Sequence, residues 1–404
     1  MVNQLPQGWK EEELGKLADV IAGQSPEGIY YNTVGDGTPF YQGKSEFQEM
    51  YLGKPTKWTT KVTKLAKRND ILMSVRAPVG PVNITQEDIC IGRGLAAITA
   101  KSMLLQLYLF YHLRYLEDKI SGTNGAVFAS ISKREIEQIK ITYPIDKEEQ
   151  DYIVKTLDAV AEIIRLQKET IQLTKDLIPA IFHEMFGDPI TNPKGWEILS
   201  LDNIITQINN GYNPSKKDFG TGIPFVTVNN LYDGLSIDYD SLDKVMVSNK
   251  QIQKYKLNYG DICFVRSSVK REGIGQASAY LSNQDAIFGG FVIRVTPKET
   301  FNPIFLSEYF QTESMRNIII NKSVTGVMTN INQPALLSIP VLNVPFSMQE
   351  EFADKVEQIN KYIAAQQEEL EQFETLFQSL LQEAFTGVLT WNYPRKECHD
   401  KKDK

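Results

Sequence analysis

Residues 148–185 read EEQDYIVKTLDAVAEIIRLQKETIQLTKDLIPAIFHEM, and their apolar side chains recur at spacings of four and three. The positions on this repeat are Ile153, Leu157, Val160, Ile164, Gln167, Ile171, Thr174, Ile178, Ile181 and Met185. A four-three repeat places its residues along one face of a helix, as in a coiled coil. The stretch therefore predicts a long helix that needs a partner to cover its apolar face.

The same repeat returns 199 residues further along the chain. Its positions are Phe352, Val356, Ile359, Ile363, Gln366, Leu370, Phe373, Phe377, Leu380 and Ala384. We call the two sets together the seam. Even the polar interruption at Gln167 recurs, as Gln366, and a buried polar position of this kind can fix the register of paired helices. We predict that the two helices pack antiparallel along the seam.

The segments that precede the two helices are also related to each other. The first opens with Pro6-Gln-Gly-Trp9 and the second with Pro193-Lys-Gly-Trp196. Each continues through Gly/Pro turns, short apolar strands and an amphipathic helix. Such long repeats indicate duplicated domains rather than a solenoid. The predicted fold is therefore α+β, with two mixed α/β modules separated by an antiparallel two-helix coiled coil in an internal pseudo-twofold repeat.

The repeat also predicts the domain boundaries. They are 1–145 for the first module, 146–190 for the central helix, 191–345 for the second module, 346–390 for the C-terminal helix and 391–404 for a charged tail that we expect to be disordered.

The net charge of −7 is unevenly distributed over these segments. The modules carry +2 and +1, whereas the helix at 146–190 and the segment 346–404 each carry −5. The modules can therefore present basic faces to an anionic partner. The N terminus has no apolar signal core and no run of eighteen apolar residues occurs, so we expect a cytoplasmic protein without a membrane partner.

The sequence offers no convincing catalytic or metal site. Three histidines and three cysteines are too few and too scattered for a zinc or histidine-based centre. The nearest match to a restriction-nuclease motif, Glu117-Asp118-Lys119, falls late in a predicted helix, where alternate residues face different directions. No cofactor loop of an amino-methyltransferase is recognisable. We expect neither catalysis nor a bound cofactor or metal.

Basic residues interleaved with aromatic ones are the sequence feature that indicates nucleic-acid binding. Residues 54–68 hold six cations. From this segment and its counterpart in the second module we predict these contacts to nucleic acid: Lys54, Lys57, Trp58, Lys61, Lys254, Tyr255, Lys270 and Arg271. Cations of this kind hold phosphates without reading the base sequence.

Base reading needs forked amide or cationic side chains, because these can pair in two places with adenine or guanine. Candidates are Gln42, Lys44, Arg76, Asn229, Asn230 and Arg266. In each module an aspartate begins an apolar strand that leads to an arginine, Asp70 to Arg76 and Asp261 to Arg266, so we treat the two arginines as counterparts.

In the order of these features the chain resembles the specificity subunits of type I restriction-modification systems. The resemblance lies in the two Pro-x-Gly-Trp openings, the phase-matched helices, the junction Phe182-His-Glu-Met-Phe186-Gly187-Asp188 and the ending Glu383-Ala-Phe-Thr-Gly-Val-Leu-Thr390. It covers all but the last dozen residues. Base-contacting residues vary most in this family, so the candidates above rest on side-chain chemistry alone.

The resemblance implies a non-catalytic subunit whose two target-recognition domains each bind half of a split site on double-stranded DNA. Modification (methyltransferase) subunits and restriction/translocase subunits would be its partners, and S-adenosylmethionine, ATP and magnesium would belong to those partners. Two other classes stay open at this point. The chain could be a coiled-coil adaptor with nonspecific DNA binding, or a self-sufficient restriction nuclease or methyltransferase.

Overall fold

The computed structural model describes residues 5–121, 130–232, 234–326 and 328–390. The predicted tail at 391–404 lies outside these ranges. The described chain folds as two compact units. The first comprises the residues up to Lys168 together with those from Glu369 onward, and the second comprises Glu169–Glu368. Each unit therefore contains one module and part of each long helix.

The first unit is built from short strands and helices that precede the first long helix. Its strands are β1 (Trp9–Glu13), β2 (Ala18–Ala22), β3 (Tyr31–Asn32), β4 (Thr38–Tyr41), β5 (Trp58–Thr59), β6 (Leu65–Ala66), β7 (Ile71–Ser74), β8 (Val82–Ile84), β9 (Ile89–Ile91), β10 (Leu95–Ala100) and β11 (Lys140–Pro144). Its helices are α1 (Leu14–Leu17), α2 (Gln106–Tyr115), α3 (Glu117–Ser121) and α4 (Lys133–Glu137), followed by the long α5 (Lys147–Phe186). The sheet orders are β1-β11, β2-β10-β7-β8 and β3-β5-β4-β9-β6.

The second unit repeats this plan. Its strands are β12 (Glu197–Ser200), β13 (Ile205–Asn210), β14 (Phe219–Val226), β15 (Asp243–Val245), β16 (Ile262–Val265), β17 (Ser267–Ser268), β18 (Ala277–Ala279), β19 (Ile287–Phe288), β20 (Val292–Pro297), β21 (Val324–Thr325), β22 (Thr329–Asn330) and β23 (Pro340–Asn343). Its helices are α6 (Leu201–Ile204), α7 (Asn249–Tyr255), α8 (Pro303–Gln311), α9 (Glu313–Asn321) and α10 (Gln333–Leu337), followed by the long α11 (Phe346–Thr386). The sheet orders are β12-β23, β13-β20-β16-β18, β15-β14-β19 and β17-β22-β21. The predicted α+β class with two mixed modules and two long helices is confirmed.

The seam is covered along both long helices. All twenty of its positions are buried or half-buried, and the least covered apolar side chains of these helices lie off it. The half-buried positions include the polar Gln167, Thr174 and Gln366. The four-three repeat thus identified the covered face of both helices.

Within the first unit the start of α5 packs against the end of α11. Ile153, Leu157, Phe377 and Ala384 belong to one buried cluster with the module's own core. Further along α5, Gln167 Nε2 donates to Glu369 Oε2 at 3.1 Å. Later residues of α5 thus meet earlier residues of α11, so the pairing in this unit is antiparallel, as predicted.

Within the second unit the end of α5 packs against the start of α11. The Phe352 ring lies 5.6 Å from the rings of both Phe182 and Phe186. Phe305 of α8 lies 4.9 Å from Phe186 and so joins the module to the helix pair. Aromatic pairs at these separations add to the stabilisation from burial alone.

A buried glutamine fastens each module to the first turn of its long helix. Gln150 Oε1 accepts from the Leu105 amide at 2.9 Å, and its Nε2 donates to the Pro144 carbonyl at 2.9 Å. Gln349 repeats this in the second unit, accepting from Asn302 N at 2.9 Å and donating to Val344 O at 2.8 Å. Both side chains are fully buried, so each satisfies backbone groups that water cannot reach.

We predict that Gln349→Ala lowers the free energy of unfolding by about 1–3 kcal/mol, because it leaves a buried donor and a buried acceptor without partners. Urea unfolding at neutral pH measures the change. Gln358→Ala, at an exposed position of the same helix, is the matched control and should change stability little. Equal unfolding midpoints for the two variants would contradict the anchoring role.

Candidate nucleic-acid interface

The two modules share an internal frame in which a buried aspartate accepts a hydrogen bond from a threonine on a neighbouring strand. Thr99 Oγ1 donates to Asp70 Oδ1 at 2.6 Å, and Thr296 Oγ1 donates to Asp261 Oδ1 at the same distance. Burial raises the pKa of the Asp261 carboxyl, although hydrogen bonds from Asn258 and Thr296 and the charge of Arg294 favour its ionised form. This frame fixes the strands on which the exposed candidate residues stand.

In the first unit, backbone hydrogen bonds bring three chain segments together where the sheets end. The Gly94 amide donates to Gln42 O at 3.1 Å, and the Val75 amide donates to Gly94 O at 2.9 Å. A Cβ at Gly94 would lie 2.4 Å from Gln42 O, so this approach requires glycine. We call the exposed side chains on these segments the first edge; they are Gln42, Lys44, Arg76 and Arg93.

Two predicted phosphate contacts lie beside the first edge. The Phe40 amide donates to Lys57 O at 2.9 Å, and the Gly53 amide donates to Glu46 O at 2.8 Å, next to Lys54 and the turn that begins at Lys44. Lys44, Lys54 and Lys57 are exposed, and within the described ranges none of them forms an ion pair. Their charges are therefore available to an anionic partner.

The other predicted contacts of this segment have local roles. Trp58 is half-buried in β5, opposite Asn32 and Pro39. Lys61 Nζ lies 4.7 Å from the centroid of the Tyr30 ring, a cation–π contact that leaves the ammonium exposed. Of these two side chains, Lys61 keeps more freedom to meet a phosphate.

The second unit forms an equivalent edge with different side chains. The Arg266 amide donates to Phe291 O at 2.8 Å, and Arg266 Nη1 donates to Gly290 O at 3.2 Å. Asn229 is exposed, and the Phe291 side chain is 56% exposed although it is aromatic. We call Asn229, Arg266 and Phe291 the second edge.

The hydrogen bonds correct the predicted pairing of the two arginines. The amides of Val75 and Arg266 make the same bond, to Gly94 O and Phe291 O respectively. The counterpart of Arg266 is therefore Val75, and Arg76 lies one residue further on. The error arose because the strand after Asp70 reaches its arginine after one more residue than the strand after Asp261.

Two of the residues proposed to contact DNA in the second module instead form hydrogen bonds or packing contacts within the module. Asn230 Oδ1 accepts from Thr227 N at 2.8 Å and from Thr227 Oγ1 at 2.9 Å, which leaves only its amide NH₂ for a base. The half-buried Tyr255 ring packs 5.7 Å from Tyr212 and helps to cover the module core. Lys254 is exposed beside it, with Nζ 5.1 Å from the Tyr255 centroid.

Lys270 and Arg271 are exposed on a loop that follows β17. Sequence reasoning found these two but missed Arg93 and Phe291, which stand on the edges themselves. Both missed residues lie beside glycines in the turn before a core strand. An exposed cation or aromatic ring within such a glycine turn is the signal that could have identified them.

The described residues contain no candidate metal site. No group of three or more His, Cys, Asp or Glu within the described ranges is arranged to hold a metal ion. Burial lowers the pKa of His112 to about 3, and its Nε2 accepts from the Thr142 amide at 3.2 Å, so it is neutral at physiological pH. Glu117 and Lys119 lie in a separate short helix, α3, which begins at Glu117, and not late in one longer helix as the sequence suggested. None of the helices in the described part of the chain is long and apolar enough to cross a membrane.

Comparison with known proteins identifies one family. The model of the type I restriction modification DNA specificity domain matches residues 6–175 and 193–375. The putative type I restriction enzyme MjaX specificity subunit of Methanocaldococcus jannaschii is 44% identical over 184 residues, which cover 44% of this chain and 43% of that protein. The EcoKI specificity subunit of Escherichia coli is 24% identical, over 68% of this chain and 63% of that protein. The aligned part thus spans less than two thirds of either relative.

Solved structures show the same fold. One comes from work on complex assembly and conformational transition of the type I R-M system. It has a TM-score of 0.60 and 17% sequence identity, over 95% of this chain and 99% of that one. The S subunit of a type I restriction-modification system from M. genitalium has a TM-score of 0.50 and 15% identity, over 95% and 98% of the two chains.

We predict that Lys54→Ala with Lys57→Ala weakens binding to duplex DNA of any sequence. If each lysine contacts one phosphate, the slope of log K against log salt should fall in magnitude by roughly 1.8. Fluorescence anisotropy over a salt series measures it. Lys175→Ala with Lys361→Ala removes the same charge from exposed helix positions and serves as the control. Identical slopes for the two double variants would remove this face from the interface.

Proposed function

This chain belongs to the type I restriction-modification DNA specificity family, and we propose that it recognises a split site on double-stranded DNA. In this proposal each module reads one half of the site. The chain itself is non-catalytic, and modification and restriction subunits carry out methylation and cleavage. S-adenosylmethionine, ATP and magnesium would bind to those partners. A DNA-reading role requires access to DNA, so the proposal includes a cytoplasmic location.

The observation that carries this proposal is one shared internal frame with two edges that carry different side chains. Asp70 with Thr99 and Asp261 with Thr296 make the same internal hydrogen bond. The frame residues match, but the side chains at equivalent edge positions do not. By their backbone hydrogen bonds, Gln42 corresponds to Thr227, Lys44 to Asn229, Val75 to Arg266, Arg93 to Gly290 and Gly94 to Phe291. A duplicated reader with unlike contact residues is suited to two unlike half-sites.

The chemistry of the edges supports duplex DNA as the ligand. Gln42 and Asn229 carry amides that can pair with adenine, and Arg76 and Arg93 can pair with guanine. The neighbouring Lys54 and Lys57 would hold phosphates and so set the position of the module on the duplex. This combination of base-reading and phosphate-holding groups favours sequence-specific binding over an adaptor with nonspecific binding.

Exposed apolar side chains on the long helices support docking of a modification subunit. In the second unit, Leu173 is 61% exposed, Leu177 is 49% exposed and Tyr362 is 68% exposed. None of the three belongs to the seam. Leu173 and Leu177 are one helix turn apart and so form a continuous exposed apolar patch, a feature that can mark a surface for binding another protein.

We predict that exchanging residues 1–145 for those of a family member with another specificity changes one half of the recognised site and leaves the other half unchanged. The readout is selection from a random duplex library by the full chain, co-purified with its modification subunit. Exchanging residues 191–345 should change the opposite half. A change in both halves would contradict independent modules.

The same selection separates the rival functions. An adaptor with nonspecific binding would give no base preference even with the partner present. A self-sufficient nuclease or methyltransferase would produce metal- or cofactor-dependent products from the purified chain alone. Either result would overturn the proposal.

We predict that Leu173→Lys with Leu177→Lys weakens co-purification of the modification subunit at least tenfold, because it places two charges where an apolar contact is proposed. Circular dichroism should show unchanged helicity, since lysine and leucine have similar helix propensities. Gln172→Lys, on the same helix turn, is the control for added charge. Undiminished co-purification of the double variant would exclude this surface as the docking site.

A further inference from the structure

The loop that carries Lys270 and Arg271 is longer than its counterpart in the first module. Backbone hydrogen bonds define the equivalent ends of the two loops. The Gly80 amide donates to Ser74 O at 3.0 Å, and the Gly275 amide donates to Val265 O at 2.8 Å. Four residues lie between Val75 and Gly80, whereas eight lie between Arg266 and Gly275. The second module therefore has a four-residue extension at a position next to its edge.

The extended loop, residues 267–274, is held by side chains from outside its tip. Ser268 Oγ donates to Lys270 O at 2.7 Å. Arg316, on α9, donates from Nη2 to the carbonyl oxygens of Glu272 and Ile274, both at 2.7 Å. One guanidinium nitrogen thus bridges two carbonyls of the loop. A charged donor makes stronger hydrogen bonds than a neutral one.

Both ends of the loop are fixed as well. At its start, β17 pairs with β22, with Ser267 opposite Asn330. At its end, Gly275 has a φ of +64°, and a Cβ there would lie 2.1 Å from Cγ2 of Ile319. Glycine is therefore required on both conformational and steric grounds. Contacts at its start, beside its tip and at its end therefore hold the loop backbone in one conformation.

The tip of this loop presents an unusual set of side chains. Val269 is 81% exposed, and Lys270 and Arg271 are exposed beside it. Within the described ranges neither cation forms an ion pair or a side-chain hydrogen bond. Val269 buries little of its apolar side chain in water, but a valine can contact the methyl group of thymine, while an arginine can pair with guanine. The tip is therefore better suited to a DNA groove than to solvent.

We infer that residues 267–274 form a preordered finger that reads bases in the half-site of the second module, with Arg316 as its positioning residue. The inference rests on the proposed DNA recognition and deepens it for one module. Arg316 does not touch the bases; it holds the backbone that carries Val269 and Arg271. Because these contacts brace the loop backbone, less conformational entropy is lost when the loop binds. The first module reaches its half-site without such a finger.

The test compares variants by library selection, using the full chain co-purified with its modification subunit. Arg271→Gln and Val269→Ser should each reduce base discrimination by about tenfold at one or two positions of the second half-site. Arg316→Met keeps a long unbranched side chain but has no hydrogen-bond donors. It should reduce base discrimination at several positions of that half-site. The first half-site should stay unchanged in all three. Lys361→Gln, an exposed helix position, is the control.

A second readout separates positioning from general stability. In Arg316→Met the amides of Gly273 and Gly275 should exchange hydrogen faster, because their hydrogen bonds depend on the loop conformation. Arg316→Lys should restore part of the discrimination, since it keeps the charge but loses the forked geometry. A purely structural role would instead weaken both half-sites together, and that result would refute the positioning role.

The possible failures are distinguishable. If the unaltered chain selects no split site, the proposed function itself is wrong. If it selects a split site, and Arg271→Gln, Val269→Ser and Arg316→Met all retain its full preferences, only the finger is wrong. The first two substitutions are at exposed positions and should not impair folding, so the inference is testable even if Arg316→Met does not fold.

Discussion

The need to cover two long apolar seams dictates how this chain is assembled. Neither α5 nor α11 can bury its stripe alone, and each is covered by the other within both units. In the first unit Ile153 and Phe377 share a core with the module, and in the second unit Phe182 packs on Phe352. The modules are fastened to this helix pair by Gln150 and Gln349, whose buried amides satisfy the backbone at each junction.

Stability and recognition reside in different layers of each module. The frame aspartates and the glutamine anchors are buried and recur in both modules, whereas the edges are mostly exposed and differ at almost every position. The buried layer also tolerates some change. Arg294 donates to Asn209 in the second module, where the equivalent residue of the first, by alignment of the Thr99 and Thr296 bonds, is Ala97. Edge residues can therefore change without disturbing the frame.

Sequence periodicity predicted the seam, the repeat and the fold class because each depends on a regular spacing of apolar residues. It did not predict the offset between Arg76 and Arg266, because that register is set by hydrogen bonds between distant segments. It also could not reveal that Tyr255 faces the core or that Asn230 bonds to Thr227, since side-chain direction in irregular segments leaves no periodic signal. The proposed DNA contacts and the domain boundaries therefore stay predictions.

The core of the first unit joins residues of the first module to residues near the end of α11, and this affects how the protein is made. Tyr108 packs 5.4 Å from Phe385, and His112 packs 4.7 Å from the same ring. While a ribosome is still synthesising the second module, these aromatic side chains lack the partner that covers them. The nascent first module thus exposes an apolar patch until the end of α11 has been synthesised, and a product truncated before Phe385 would be a natural target for chaperones and proteases.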